Sequence, residues 1–336
     1  MRMIVIGATN STLGILMGLV RNGANVVGVY TLDSSVSAKV SGYSTPEILN
    51  FSRSHGIYCK TFSQINSPDI VSDIRNLSPD ILFPVGFSQL VGKELLSIPS
   101  RGSLGFHPTR LPHGRGRAPL AWVTNDCGGA AATFFVMGEG ADDGPIVDQE
   151  FFTVEPDDHA ADVEVKGFAA MDQVLDRMVP QLMQGAWGTE PQIEAEASYN
   201  GIRRPSDGLI SWTAPCLQTY AKIRATSHPH PGAYTYVQDR KIIIWRAAAE
   251  GQLRWRGVPG RVLMTCPERG VLVQAGEGLL WLTELEDPAC PEAPVTLKVG
   301  TRLGYAAEDK IYELTRTILT MQARLDQLQH DLEKFK

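Results

Sequence analysis

His107 ends a short apolar run, Leu104-Gly105-Phe106, and is followed at once by Pro108, which lacks an amide donor and turns the chain out of regular pairing. The run reads as a strand. Its histidine therefore stands at a strand-to-loop junction, where side chains open into clefts more often than they do in mid-helix. Asp142 and Asp143 precede Gly144-Pro145 after a second apolar run, Thr133 to Met137, so two strand ends present an imidazole and a carboxylate. That pair suits general-base catalysis: a carboxylate accepting the Nδ1 proton fixes the tautomer and leaves Nε2 free to take a proton from a nucleophile. A His and an Asp alone also fit a hydrogen-bonded loop histidine, and their neighbours decide between the two.

The elements that must position this pair follow from periodicity. Met3 to Gly7 reads as a buried strand, an amphipathic helix follows with Leu13, Leu16, Met17, Leu19 and Val20, and Asn25 to Leu32 is the next strand. Strand, helix, strand is a βαβ unit and implies a parallel sheet. The G-x-G-x-x-G turn of dinucleotide sites is absent, since Gly7 is followed by no glycine before Gly14, which argues against NAD. A helix over 46–54, a strand over 57–61, a helix over 68–76 and a strand over 80–85 continue the alternation. A helix over 158–183 carries Val163, Phe168, Met171, Val174, Leu175 and Met178 at helical spacing. Past a polar stretch and a short helix at 216–224, five β runs separated by turn residues indicate a small barrel or sandwich, with Trp245, Trp255 and Trp281 in its core.

Composition bounds the class. A chain of 336 residues, 43% apolar and 20% charged, has room for two domains with ample core. No apolar stretch reaches the ~18 residues that cross a membrane, and the opening apolar run is too short for a signal peptide, so the expected location is cytoplasmic. The 5 cysteines are widely spaced and form no C-x-x-C pair, which argues against a disulfide framework and against zinc. His228-Pro-His230 has no third ligand at useful spacing, so no metal is expected. The net charge of −6 weighs against a tRNA-gripping surface.

The surroundings of the pair run His-Pro-Thr-Arg-Leu-Pro over 107–112, Arg-Gly-Arg-Ala-Pro-Leu-Ala-Trp over 115–122, then Thr133-x-x-x-Met137 and Asp142-x-Gly144-x-Ile146. This order resembles the formyltransferases that use 10-formyltetrahydrofolate, a family that includes methionyl-tRNA formyltransferase, glycinamide ribonucleotide transformylase and the sugar N-formyltransferases. The resemblance is strongest over 79–150. It implies that His107 is the catalytic base and that Asp142, rather than Asp143, is its carboxylate. It also implies a pterin pocket from Gln89, Leu90 and Val91, from Thr109, Arg110, Leu111, Pro112 and Arg117, and from the loop Gly138, Glu139, Gly140, Ala141. A flat pterin edge with donors and acceptors suits loop backbone groups; the side chains of Phe87 and Leu90 read as core packing. Arg115 and Arg117 can each bind an anion or sit solvated; position favours Arg117 as functional and leaves Arg115 open.

Gly105 departs from the family pattern, which carries Asn there to donate to the oxyanion. Loss of one such donor can cost on the order of 100- to 1000-fold in rate, and Asn125 or a backbone N–H is the expected substitute. The loop over 33–47 is shorter and less basic than in methionyl-tRNA formyltransferases. The R-x-P-x-D-G segment resembles the one beside the substrate cleft of relatives, so Arg204 and Asp207 join Gly105 as tentative substrate positions.

The expected architecture is α/β: a Rossmann-like formyltransferase domain over 1–190, a linker over 191–208, an OB-like β-barrel domain over 209–300 and a C-terminal coiled-coil helix over 301–336. In that helix Ile311, Leu314, Ile318, Met321, Leu325, Leu328, Leu332 and Phe335 step by three and four residues, which predicts a homodimeric coiled coil, with packing back on its own domain as the alternative. The function supported is transfer of the formyl group of 10-formyltetrahydrofolate to the amine of a nucleotide-linked amino sugar. Alternatives are methionyl-tRNA formylation, formylation of another small amine such as a hydroxyornithine side chain, hydrolysis of the donor, and a catalytically impaired folate-binding scaffold.

Overall fold

The computed structural model describes residues 1–33, 42–86, 89–138, 140–305 and 307–334. The chain divides into two compact units, Met1–Gly208 with Ala221–Ala233, and Leu209–Tyr220 with Tyr234–Lys336.

The first unit opens with β1 (Arg2–Ile6), α1 (Asn10–Arg21), β2 (Asn25–Leu32), α2 (Thr45–Ser54), β3 (Cys59–Phe62), α3 (Pro68–Asn76) and β4 (Ile81–Pro84). The four strands form a parallel sheet in the order β3-β2-β1-β4. Met3, Ile4, Val5 and Ile6 are all fully buried, the pattern of a strand covered on both faces. Gly7 is explained by close packing: a Cβ there would stand 1.8 Å from the Val85 carbonyl, and Thr12 Oγ1 donates to that same oxygen at 2.7 Å. The turn that holds a phosphate in dinucleotide proteins is here filled by protein.

Next come α4 (Lys93–Leu96), β5 (Leu104–His107), β6 (Arg115–Gly116), α5 (Pro119–Asp126), β7 (Gly128–Val136), β8 (Ile146–Val154) and α6 (Ala160–Gln184). Strands β5, β7 and β8 form an antiparallel sheet, tied to β4 by a bridge between Leu82 and Ser103. The period of two places Leu104 and Phe106 on one face of β5 and Gly105 and His107 on the other. Leu104 and Phe134 are buried in one cluster with Leu16 and Leu19 of α1 and Val174, Leu175 and Met178 of α6. That cluster fixes β5, and so the opposite face that carries His107.

Residues 191–208 are more than a linker. Tyr199–Asn200 form a strand, β9, that pairs in parallel with β6. The second unit contains a five-stranded sheet in the order β10-β11-β14-β13-β12, built from β10 (Ala233–Val237), β11 (Arg240–Glu250), β12 (Val262–Cys266), β13 (Gly270–Gln274) and β14 (Leu279–Glu286). Before it, α7 runs Cys216–Thr226, and the chain ends in α8, Ala307–Lys334. Trp281 and Trp245 are buried, and each indole donates to a carboxylate, Glu250 and Glu286 respectively. Trp255 departs from expectation: at 49% exposed it lies on the surface between β11 and β12, outside the core.

Candidate active site

His107, at the end of β5, is 5% exposed, and Nδ1 lies 3.5 Å from Asp142 Oδ2. Asp142 holds a left-handed backbone conformation, φ 55°, uncommon for a residue with a side chain. Two bonds support it. Its Oδ2 accepts from the Gly116 amide at 2.8 Å, and its own carbonyl accepts from Gln192 Nε2 at 2.8 Å. Gln192 Nε2 also donates to the Gly144 carbonyl at 2.7 Å, so one side-chain amide clamps both sides of the turn. Asp143 is exposed, with its carboxylate beside Gly140. The structure thus brings Asp142, and not Asp143, to the imidazole.

Nε2 is not free, as the sequence reading had it. It lies 2.9 Å from the Gly114 carbonyl, an acceptor, so in this conformation Nε2 carries the hydrogen and donates. Base action requires the other tautomer, with Nδ1–H toward Asp142 and the Nε2 lone pair turned from Gly114 to the nucleophile. Gly114 in turn is fixed by Ser198 Oγ, which accepts from its amide at 2.9 Å. The β6 segment therefore touches both groups, through Gly114 just before the strand and Gly116 at its end.

Arg115, between those two glycines, is fully buried, with Nε donating to Gln192 Oε1 at 3.0 Å and Nη1 to Glu194 Oε2 and the Tyr199 hydroxyl, both at 2.8 Å. Burial pushes its guanidinium pKa down, but these bonds outweigh it and hold it above the ordinary value. Arg115 is a girder of the site, and Arg117 is exposed beside it. Sequence reading missed Gln192, Ser198 and Tyr199: each is a lone polar residue in a polar stretch, and only the β6–β9 pairing reveals its partner.

Gly105 faces Phe135 across the β5–β7 ladder. A Cβ at 105 would stand 2.6 Å from Phe135 Cζ and 3.1 Å from Met137 Cγ, so the space an Asn would use is filled by a buried ring and a thioether side chain. The expected substitute Asn125 is engaged elsewhere, with Nδ2 donating to Asp126 at 3.0 Å.

Of the expected pterin residues, Gln89 fastens its loop by accepting from the Ile65 amide and donating to the Ser63 carbonyl, and the Leu90 carbonyl accepts from Asn66. The Leu90 side chain is 83% exposed, so it is surface and not core. Phe87 and Glu139 lie outside the described residues, as does most of the 33–47 loop. Thr109 is 2% exposed, and its hydroxyl has no hydrogen-bond partner among the described residues. Arg110 lies over the half-exposed Phe151 ring, Leu111 is buried, Pro112 accepts from Ser198 through its carbonyl, and Gly138, Gly140 and Ala141 are exposed. Val91 packs against the core cluster around Ile65 and Leu95.

Arg204 and Asp207 are exposed, and the Asp207 carboxylate caps the Arg204 amide at 2.6 Å, a local turn that does not involve His107. Arg203 is the less obvious neighbour. Its guanidinium lies over Trp122 at 5.2 Å and donates to the Ala121 carbonyl. Burial pushes its pKa down; burial and then repulsion from Arg203 do the same to Lys222 and to His230, the last to about 4. Among the described residues no group of three His, Cys, Asp or Glu side chains could hold a metal ion.

Two family models match the chain, Formyl transferase over 1–179 and Formyl transferase, C-terminal domain, over 203–297. The chain belongs to the formyl transferase family. It is 28% identical to the methionyl-tRNA formyltransferase of Geobacter sulfurreducens over 314 residues, 91% of this chain and 98% of that one. Among solved structures, HypX from Aquifex aeolicus in complex with tetrahydrofolic acid shares the fold at TM-score 0.62 and 17% identity, covering 86% of this chain; the chain spans only 44% of HypX. The N-formyltransferase of Helicobacter canadensis, in complex with folinic acid and dTDP-3-aminofucose, superposes at TM-score 0.60 and 14% identity, covering 84% of this chain and 98% of that one.

Proposed function

We propose that this formyltransferase moves the formyl group of 10-formyltetrahydrofolate to the amine of a nucleotide-linked amino sugar, in the cytoplasm, with His107 as general base and Asp142 as its partner. The contact of His107 Nδ1 with the Asp142 carboxylate at the end of β5, in a member of this family, carries the reading. The donor supplies an electrophilic formyl carbon. As the acceptor nitrogen bonds to that carbon, His107 Nε2 takes its proton and Asp142 holds the charged ring; the same proton then passes to the departing donor nitrogen, leaving a formamide and tetrahydrofolate. With no side-chain donor at Gly105 and Asn125 engaged with Asp126, the imidazolium beside Asp142 or a backbone N–H steadies the oxyanion.

Residues 89–91, 109–112, 117 and 138–141 are retained as the pterin site. The orphaned Thr109 hydroxyl and the exposed Leu90 suit a flat ligand with a polar edge and an apolar face. The basic residues Arg203, Lys222 and His230 favour a phosphate-bearing acceptor: burial and then repulsion from Arg203 hold Lys222 and His230 below their ordinary pKa values, and an anion beside them would offset the repulsive part and favour their charged forms. Arg204 and Asp207 remain proposed acceptor contacts, as do the domain limits at 190, 208 and 300 and an OB-like character for the second unit. The likeness to the Geobacter protein supports a second reading, methionyl-tRNA as acceptor. Incubation with the donor and either dTDP-, UDP- and GDP-linked amino sugars or Met-tRNA separates the two: formyl-sugar with no formyl-Met supports the first, and salt-sensitive formylation of Met-tRNA alone replaces it.

A further inference from the structure

The family matches end at residue 297, and α8 follows them. It is a 28-residue helix whose seam is open to water: Ile311, Leu314, Ile318, Met321, Leu325, Leu328 and Leu332 are each 52–64% exposed. A helix that packed back on its own unit would show a buried stripe. None exists here, for every residue from 311 to 330 is exposed. We infer that α8 docks on α8 of a second copy of this chain, as a parallel two-stranded coiled coil in register over 311–332.

Three features select that occupant. The first is pattern. With Ile311, Ile318, Leu325 and Leu332 at position a and Leu314, Met321 and Leu328 at position d, the leading heptads pair β-branched a residues with unbranched or γ-branched d residues, the choice that favours two parallel strands.

The second is charge. In a parallel pair each g residue faces the e residue five positions on in its partner, which sets Lys310 by Thr315, Thr317 by Gln322 and Arg324 by Gln329, with no like charges opposed. A fully overlapped antiparallel pair would set Arg324 against its own copy. The flanks thus tolerate one orientation and penalise the other.

The third is area. Side chains of this size, a little over half exposed, each have on the order of 100 Å2 to hide, so two helices together cover roughly 1,200–1,500 Å2, the size of a standard stable interface. Tyr312 and Leu319, also exposed, fall at position b and lie outside this seam.

The test is sedimentation velocity of the full chain at micromolar concentration, beside Ile318→Asp/Leu325→Asp and a Leu314→Cys variant under mild oxidation. The wild type should sediment as a dimer, the double variant as a monomer with its dissociation constant raised more than about 100-fold. Leu314→Cys should form a disulfide with its own copy, located by peptide mapping because Cys290 is also exposed. A monomeric wild type, a trimer, a dimer that survives the double substitution, or a cross-link formed only when Leu314→Cys is mixed with Leu332→Cys would each overturn the proposal. Circular dichroism of the double variant checks that the two compact units are intact.

Discussion

Around His107 each group is held by partners distant in sequence, whereas α8 is held by its own turns. Gly116 reaches Asp142 across 26 residues, Gln192 reaches it across 50, and Arg115 reaches Tyr199 across 84. Beyond Lys310, the side-chain bonds recorded along α8, Thr317 to Glu313, Thr320 to Arg316 and Gln327 to Asp331, all span 4. A network of long-range bonds fixes geometry to a fraction of an ångström, and it fails as a unit when one member goes. A helix of local bonds forgives substitution, and what it loses is its partner. Damage to the site should therefore appear in kcat, and damage to α8 in mass.

The largest effect expected is from Asp142→Asn. It keeps an oxygen for the Gly116 amide but removes the charge facing Nδ1, and should lower kcat by about 100- to 10,000-fold with the fold intact by circular dichroism. A loss under tenfold would mean that the contact is merely structural.

His230 offers a test through pH. Its folded pKa of about 4 lies below the ordinary 6.5, so the unfolded chain binds more protons between those values. Stability attributable to this group is fully present above pH 6.5 and falls as pH drops toward 4, by on the order of 3 kcal/mol. His230→Gln should reduce the stability lost between pH 7 and pH 4, read by urea unfolding. A phosphate-bearing acceptor should raise the His230 pKa by NMR titration, and no change on binding would remove Arg203, Lys222 and His230 from the acceptor site.

Gly105→Asn should not restore an oxyanion donor, because the Phe135 ring must move first; overpacking is expected to cost about 1–3 kcal/mol, with no gain in kcat. Adding Phe135→Leu should recover much of that stability, which separates a filled space from an unrelated defect. Gln192→Ala removes both bonds to the Asp142 turn and should lower kcat about tenfold through misplacement, more than it raises KM. The smallest effect is assigned to Ile318→Asp/Leu325→Asp, with kcat/KM within about twofold of wild type, since sites without shared partners act independently.

The parts legible in the sequence are those where pattern is local. The helix over 68–76 coincides with the observed α3, the five β runs after the short helix correspond to the five strands β10 to β14, and the heptads of α8 were plain from spacing. The proximity of His107 and Asp142 was legible because His107 ends a strand-like run and Asp142 follows another, both inside a strong family pattern. Strand β9 was not: two residues, Tyr199 and Asn200, carry no alternation, and their pairing depends on β6, which is equally short. Helix α5 was not singled out in the sequence: 8 residues ending in Thr-Asn-Asp carry little helical periodicity, although proline suits a first helical turn. Leu90 and Trp255 were assigned to cores on residue type, and tertiary context overrode type in both.

The most direct test of the central claim is mass spectrometry of the purified chain with 10-formyltetrahydrofolate and a panel of nucleotide-linked amino sugars, run beside His107→Ala. One sugar should gain a formyl group with the wild type and none with His107→Ala, while the variant still binds the folate. Formylation that persists in His107→Ala, or a wild type that binds folate and formylates no amine, would contradict the account.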